Sequence, residues 1–166
     1  SRVFRVGGLG LDGIKQTKLL DLRELEEDIG FRFLSRNLLV TFHPVTLEAT
    51  TSISHMDCLL AALDTLQDTG IIFTMPNSDT YGRALFDKIR IFCANHSNAK
   101  AFTSLGQLRY FSCVSHVDGV VGNSSSGLLE VPSFKTATIN IGDRQKGRLK
   151  ATSVVDCKPS MTSILQ

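Results

Sequence analysis

No Cys-x-x-Cys pair, no dense basic stripe and no apolar run of membrane-spanning length occurs in the 166 residues of this chain. Each absence closes off a class of protein. Cys58, Cys93, Cys113 and Cys157 are widely spaced, and three of them sit within apolar periodic segments. They read as small buried hydrophobes in a reducing cytosol, not as a disulfide frame or a zinc site, and neither metal nor cofactor is implied. The 18 Lys and Arg oppose 16 Asp and Glu for a formal charge of +2. The one basic cluster, Arg144, Lys146, Arg148 and Lys150, is too small for a binder of phosphate backbones, so nucleic acid is not an expected partner. Lacking a signal-peptide pattern and a membrane span, the chain is expected to be cytoplasmic and free of membrane. It opens at Ser1-Arg2-Val3-Phe4 without an initiator Met, as if cut from something longer.

What is present describes an ordinary folded domain. Hydrophobic residues make up 42% and charged residues 20%, and the length suits one domain with a substantial core. Val3 to Ile14 carries Gly7, Gly8, Gly10 and Gly13 without a clean period and reads as an extended linker. Leu19, Leu22, Leu25 and Ile29 predict a helix over 18–29, stopped at Gly30. Leu38 to Phe42 is a buried strand that ends at His43-Pro44, because Pro disfavours helical geometry in the residue before it. A helix over 47–66 follows, then a strand at Ile71 to Thr74 broken at Met75-Pro76-Asn77. The alternation continues with a helix bearing Tyr81, Leu85, Ile89 and Phe92, and a strand near 99–103. A helix over 107–116, strands near 118–121, 136–141 and 153–156, and the first turn of a closing helix complete it. Strands separated by amphipathic helices require crossovers, which predicts an α/β, doubly wound, Rossmann-like parallel sheet with helices on both faces.

Ligands of such sheets lie beyond the carboxyl ends of the strands. Four segments occupy those ends: His43-Pro44, Pro76-Asn77-Ser78-Asp79, Gly122 to Gly127, and Gly142-Asp143-Arg144. The loop Gly122-Asn123-Ser124-Ser125-Ser126-Gly127 offers backbone N–H groups, small residues and hydroxyls suited to a diphosphate. It equally suits a Ser-rich turn that caps a helix, and it has neither Gly-x-Gly-x-x-Gly nor a Walker Lys. Glu130 is placed about a turn and a half into the following helix, either to take two ribose hydroxyls or as a solvated helix carboxylate, which the local pattern favours. Arg144 is a candidate phosphate partner or a surface arginine. His43 could donate to a phosphate, move a proton, or be a hydrogen-bonded structural histidine. Of the pair Tyr110-Phe111, which could stack on a base, at least one belongs to the core. His55, His96 and His116 receive no role.

The order of these pieces resembles the C-terminal domain of the hydrolysing UDP-N-acetylglucosamine 2-epimerases, particularly the branch feeding sialic acid synthesis. The resemblance rests on Val6 to Asp12, Thr41-Phe42-His43-Pro44-Val45-Thr46, Met75 to Asp79, Val121 to Pro132 and Asn140 to Arg148. It implies the second domain of a GT-B fold, with residues 1–15 as interdomain linker and 16–166 as the UDP-binding domain, truncated before the closing helices. Its expected ligands are UDP and UDP-N-acetylglucosamine. By resemblance, Ser124 and Ser125 hold the diphosphate, Glu130 the ribose, and His43, the catalytic candidate, the phosphate and sugar side. Asn77 reaches the nucleotide or sugar, Arg144 the phosphates and Tyr110 the uracil. The family's principal catalytic acids belong to an N-terminal domain absent here, so this piece is expected to be inactive alone, within a parent that is a homo-oligomer. Three rivals stay open: a GT-B glycosyltransferase, an epimerase of a related UDP-diacetamido sugar, and a non-catalytic nucleotide-sugar module.

Overall fold

The computed structural model describes residues 13–14, 16–45, 49–76 and 82–166. The expected linker therefore lies almost wholly outside the described residues. The first helix, α1, spans Leu22–Ile29, four residues later than its apolar period suggested, because a capping box fixes its start. The Asp21 carboxylate accepts from the Glu24 amide at 2.8 Å while Glu24 accepts from the Asp21 amide at 3.0 Å, satisfying two donors that the helix cannot. Gly30, with φ of 59°, ends it in the left-handed conformation.

Then follow β1 (Arg36–Thr41), α2 (Ala49–Asp64), β2 (Thr69–Thr74), α3 (Gly82–Asn95), β3 (Ala99–Phe102), α4 (Gly106–His116) and β4 (Gly119–Gly122). A one-turn helix α5 (Ser126–Leu129), a 3-10 turn (Val131–Phe134), β5 (Ala137–Ile141), β6 (Val154–Cys157) and α6 (Met161–Leu165) complete the chain. All strands are parallel, in the order β3-β2-β1-β4-β5-β6, which is the doubly wound sheet expected.

The two-residue period of the strands divides the core. Val40, Ile71, Phe73 and Val121 face α2, α3 and α6, against Met56, Leu59, Leu85, Ile89 and Ile164. Leu39, Ile72 and Val120 face the other way, against Leu25 and Ile29 of α1 and Cys113 and Val114 of α4. Each fully buried Leu, Ile or Phe contributes about 1.5–3 kcal/mol, so the central strands are anchored from both sides. Cys113 is buried, but Cys58, Cys93 and Cys157 are only half-buried, so the reading of all four as interior hydrophobes holds fully for Cys113 alone. Burial pushes the Cys113 thiol up to about 12. The consequence for function is topological: the chain winds outward through β1, β2 and β3, then returns to lay β4 beside β1, leaving a crevice at the carboxyl ends of that pair.

Candidate functional site

At the crevice, Thr41 stands level with Thr74 on one side and Gly122 on the other. The threonine hydroxyls share a hydrogen bond of 2.6 Å. One residue beyond the end of β4 the backbones remain linked, with the Asn123 amide donating to the carbonyl of Thr41, the last residue of β1, at 3.1 Å. The Asn123 side chain then continues the ladder past the last backbone pair. Its Oδ1 accepts from the His43 amide at 2.7 Å and its Nδ2 donates to the His43 carbonyl at 2.8 Å. An amide N–H opposite one end of the carboxamide and a carbonyl opposite the other leave one orientation of the group. His43 is thereby fixed by backbone on both sides, directly before Pro44.

His43, Tyr110 and Glu130 meet. They line one open cleft of about 500 Å³ together with Thr74, Met75, the segment 103–107 and Phe111. Phe111 is buried at 3% exposure, so the expectation that one of the aromatic pair is interior holds, although both rings border the cleft. The Tyr110 hydroxyl donates to Ser126 Oγ at 2.8 Å. Burial pushes this phenol up to about 12, and the nearby Glu130 charge adds to the effect against the Ser126 bond, so it is a neutral donor at physiological pH.

Glu130 is not inside a helix as expected. It is half-buried at the joint between α5 and the 3-10 turn, with φ of −107°, because α5 closes after a single turn and Pro132, which has no N–H to donate, does not extend it. The Ser-rich loop is not built as a conventional cap either. Ser125, at the N-cap of α5, makes no capping bond with its side chain, and the Asn123 side chain is spent on His43. Ser124 and Ser125 are half-buried at the edge of the crevice. A Cβ at Gly127 would come within 2.7 Å of the Thr138 methyl, which keeps that position bare and the loop close to β5.

Arg144 approaches the same loop from the β5 side, donating to the Asn123 carbonyl at 3.0 Å, and buried Gln145 donates to that oxygen at 2.7 Å. Among the described residues no carboxylate lies within ion-pair distance of Arg144. Burial, and then the neighbouring Arg148 guanidinium, push Arg144 below its ordinary range. Asn77 lies outside the described residues. Sequence reasoning missed Asn123 and Gln145 as site residues. Asn123 directly follows β4 and His43 lies two residues past the end of β1, but only the β1–β4 pairing shows that the two positions meet.

These features place an open cleft bordered by His43, Tyr110 and Glu130 at the switch point of the sheet, and the sequence itself decides the family. The profile of the UDP-N-acetylglucosamine 2-epimerase family matches residues 1–166. The chain belongs to that family. Among 2-epimerase relatives, it is similar to the Campylobacter jejuni GDP/UDP-N,N'-diacetylbacillosamine 2-epimerase (hydrolyzing), 38% identical over 156 residues that cover 93% of this chain and 41% of the relative. It is similar also to the Escherichia coli polysialic acid biosynthesis protein P7, 38% identical over 165 residues that cover 99% of this chain and 42% of the relative. The chain thus spans about two fifths of the length of these relatives. The fold is similar to that of S. aureus MnaA in a co-structure with UDP, with a TM-score of 0.69 at 13% identity, covering 96% of this chain and 43% of the other. The architecture is that of the GT-B epimerases in this family.

Proposed function

We propose that the cleft holds the UDP portion of a UDP-linked 2-acetamido sugar, and that the whole protein is a hydrolysing 2-epimerase of which residues 16–166 form the nucleotide-binding domain. The observation that carries this reading is the convergence of His43, Tyr110 and Glu130. They come from the segment after β1, from α4 and from the joint after α5, yet meet in one cleft beside the Gly122 to Gly127 loop. Glu130 is positioned to accept hydrogen bonds from the two ribose hydroxyls, and Tyr110 to border the uracil. Ser124, Ser125 and Arg144 are positioned to take the diphosphate. His43 stands on the phosphate and sugar side, which Asn77 shares. Residues 1–15 serve as the connection to a further domain, and the parent is a cytoplasmic homo-oligomer. In the reaction, the C2 proton is removed and the C1–O bond to UDP breaks, leaving a 2-acetamidoglucal. Water then supplies a hydroxyl at C1 and a proton at C2 on the opposite face, giving N-acetylmannosamine from UDP-N-acetylglucosamine.

Calorimetry with UDP tests the site. The chain binds UDP weakly, and Glu130→Ala or Ser124→Ala reduces the affinity at least about tenfold, the scale of one lost charge-assisted hydrogen bond. Undiminished affinity in both variants rejects the assignment. The name of the C. jejuni relative favours a second reading of the sugar, a UDP-diacetamido hexose. Offering both nucleotide sugars to the full-length protein and following each free sugar by proton NMR separates them.

A further inference from the structure

We infer that Asn123 is the positioning residue of His43, and that Gln145 secures Asn123 so that Arg144 is free to engage an anion. This rests on the reading of the cleft as a UDP site and adds to it the residues that hold its histidine.

Five bonds converge on Asn123. Its side chain brackets both polar groups of the His43 backbone, at 2.7 and 2.8 Å, its amide is held by the Thr41 carbonyl, and its own carbonyl takes Arg144 and Gln145. At 1% exposure it has no access to solvent, so its work is internal. A pair of hydrogen bonds from one planar group fixes both the distance and the rotation of the peptide it grips. The direction in which the His43 ring leaves the backbone follows from that rotation. Gln145 explains itself the same way. It is 4% exposed, and its Oε1 is buried without a partner among the described residues. A buried acceptor left unpaired is destabilising, so the residue is retained for its donor, which goes to Asn123. Two donors on one carbonyl make the Arg144 bond dispensable. When a diphosphate draws the guanidinium away, Gln145 keeps Asn123, and through it His43, in place.

The test uses isotopically labelled chain with UDP as probe. In the native protein the His43 amide is protected from hydrogen exchange and its ring resonances shift when UDP binds. Asn123→Ala speeds exchange at His43 at least tenfold while the central strands keep their protection, and UDP affinity falls about tenfold. Asn123→Asp, isosteric, keeps the acceptor for the His43 amide but faces its carbonyl with an oxygen. There the amide stays protected, the His43 carbonyl ¹³C resonance moves, and the UDP-induced ring shift is lost, which carries the test should the alanine variant fail to fold. Gln145→Met removes the stranded acceptor together with the donor, so the urea midpoint holds or rises while UDP affinity falls, a split that a purely structural glutamine does not give. Unchanged His43 resonances in both Asn123 variants, or unchanged UDP affinity in Asn123→Ala and Gln145→Met, overturns the inference while native binding stands. Failure of the native chain to bind UDP at millimolar concentration overturns the UDP reading itself and, with it, the anion role of Arg144.

Discussion

Gly122 shows how tightly a single position is set at this crevice. Its φ of 144° is open to glycine and costly to other residues, and a Cβ there would overlap the Thr41 carbonyl oxygen, an atom of the central strand that cannot give way. Gly142, at φ of 72°, is strained only by its backbone, since nothing lies within 4 Å of a Cβ built on it. Gly122→Ala is therefore expected to lose about 3 kcal/mol or more, and Gly142→Ala about 1 kcal/mol, read from paired urea denaturation curves. Equal losses would mean that the close approach of β4 to β1 is not as tight as described. The glycines were visible in the sequence as a cluster. Which of them touches another strand was not, because that depends on a neighbour 81 positions away, Thr41 beside Gly122.

At the level of elements, the strands and long helices were legible because their apolar periods are strong, while their ends were set by local chemistry that the period does not carry. The start of α1 is the clearest instance: Asp21 and Glu24 decide it, and Asp21→Ala is expected to cost about 1 kcal/mol in the same urea measurement. The link between α2 and α3 was not legible at all. His96, left without a role by the sequence, bonds the Phe92 carbonyl at 2.8 Å and the Asp64 carboxylate at 2.7 Å, and stacks on the Phe92 ring at 3.9 Å. The Phe92 carbonyl first, and Asp64 next, raise its pKa above the ordinary 6.5. A raised value in the folded state means that the protonated imidazole stabilises. That contribution is whole below about 6.5 and is lost as pH climbs through the folded-state value. The urea midpoint should therefore decline from pH 6 to pH 8.5, and Asp64→Asn should flatten the decline. A slope unchanged by the substitution would remove the Asp64 contact from the account and leave the Phe92 carbonyl as the cause.

For the whole molecule, the proposed function asks more of the cleft for epimerisation than for binding UDP. Among its described lining residues the ionisable groups are His43, Tyr110 and Glu130. The Tyr110 phenol, at about 12, neither gives nor takes a proton readily near neutrality, and Glu130 is committed to the ribose in the proposed pose. One histidine remains, but elimination and hydration each move a proton at C2, on opposite faces of the sugar, and call for groups on both sides from which water is excluded. The cleft is open, and the chain spans about two fifths of the length of its relatives. In the proposed reaction a second proton carrier therefore comes from outside the described lining of this cleft. The 166-residue chain incubated with UDP-N-acetylglucosamine should release no N-acetylmannosamine by proton NMR, and the protein extended to the full length of its relatives should release it together with UDP. In that longer protein His43→Ala should lower turnover at least about a hundredfold, the usual scale of a lost proton donor or acceptor, with a smaller effect on UDP affinity. Turnover by the short chain would place the full acid–base set within residues 1–166. Intact transfer of the sugar to an acceptor by the long protein would make the same cleft the donor site of a glycosyltransferase.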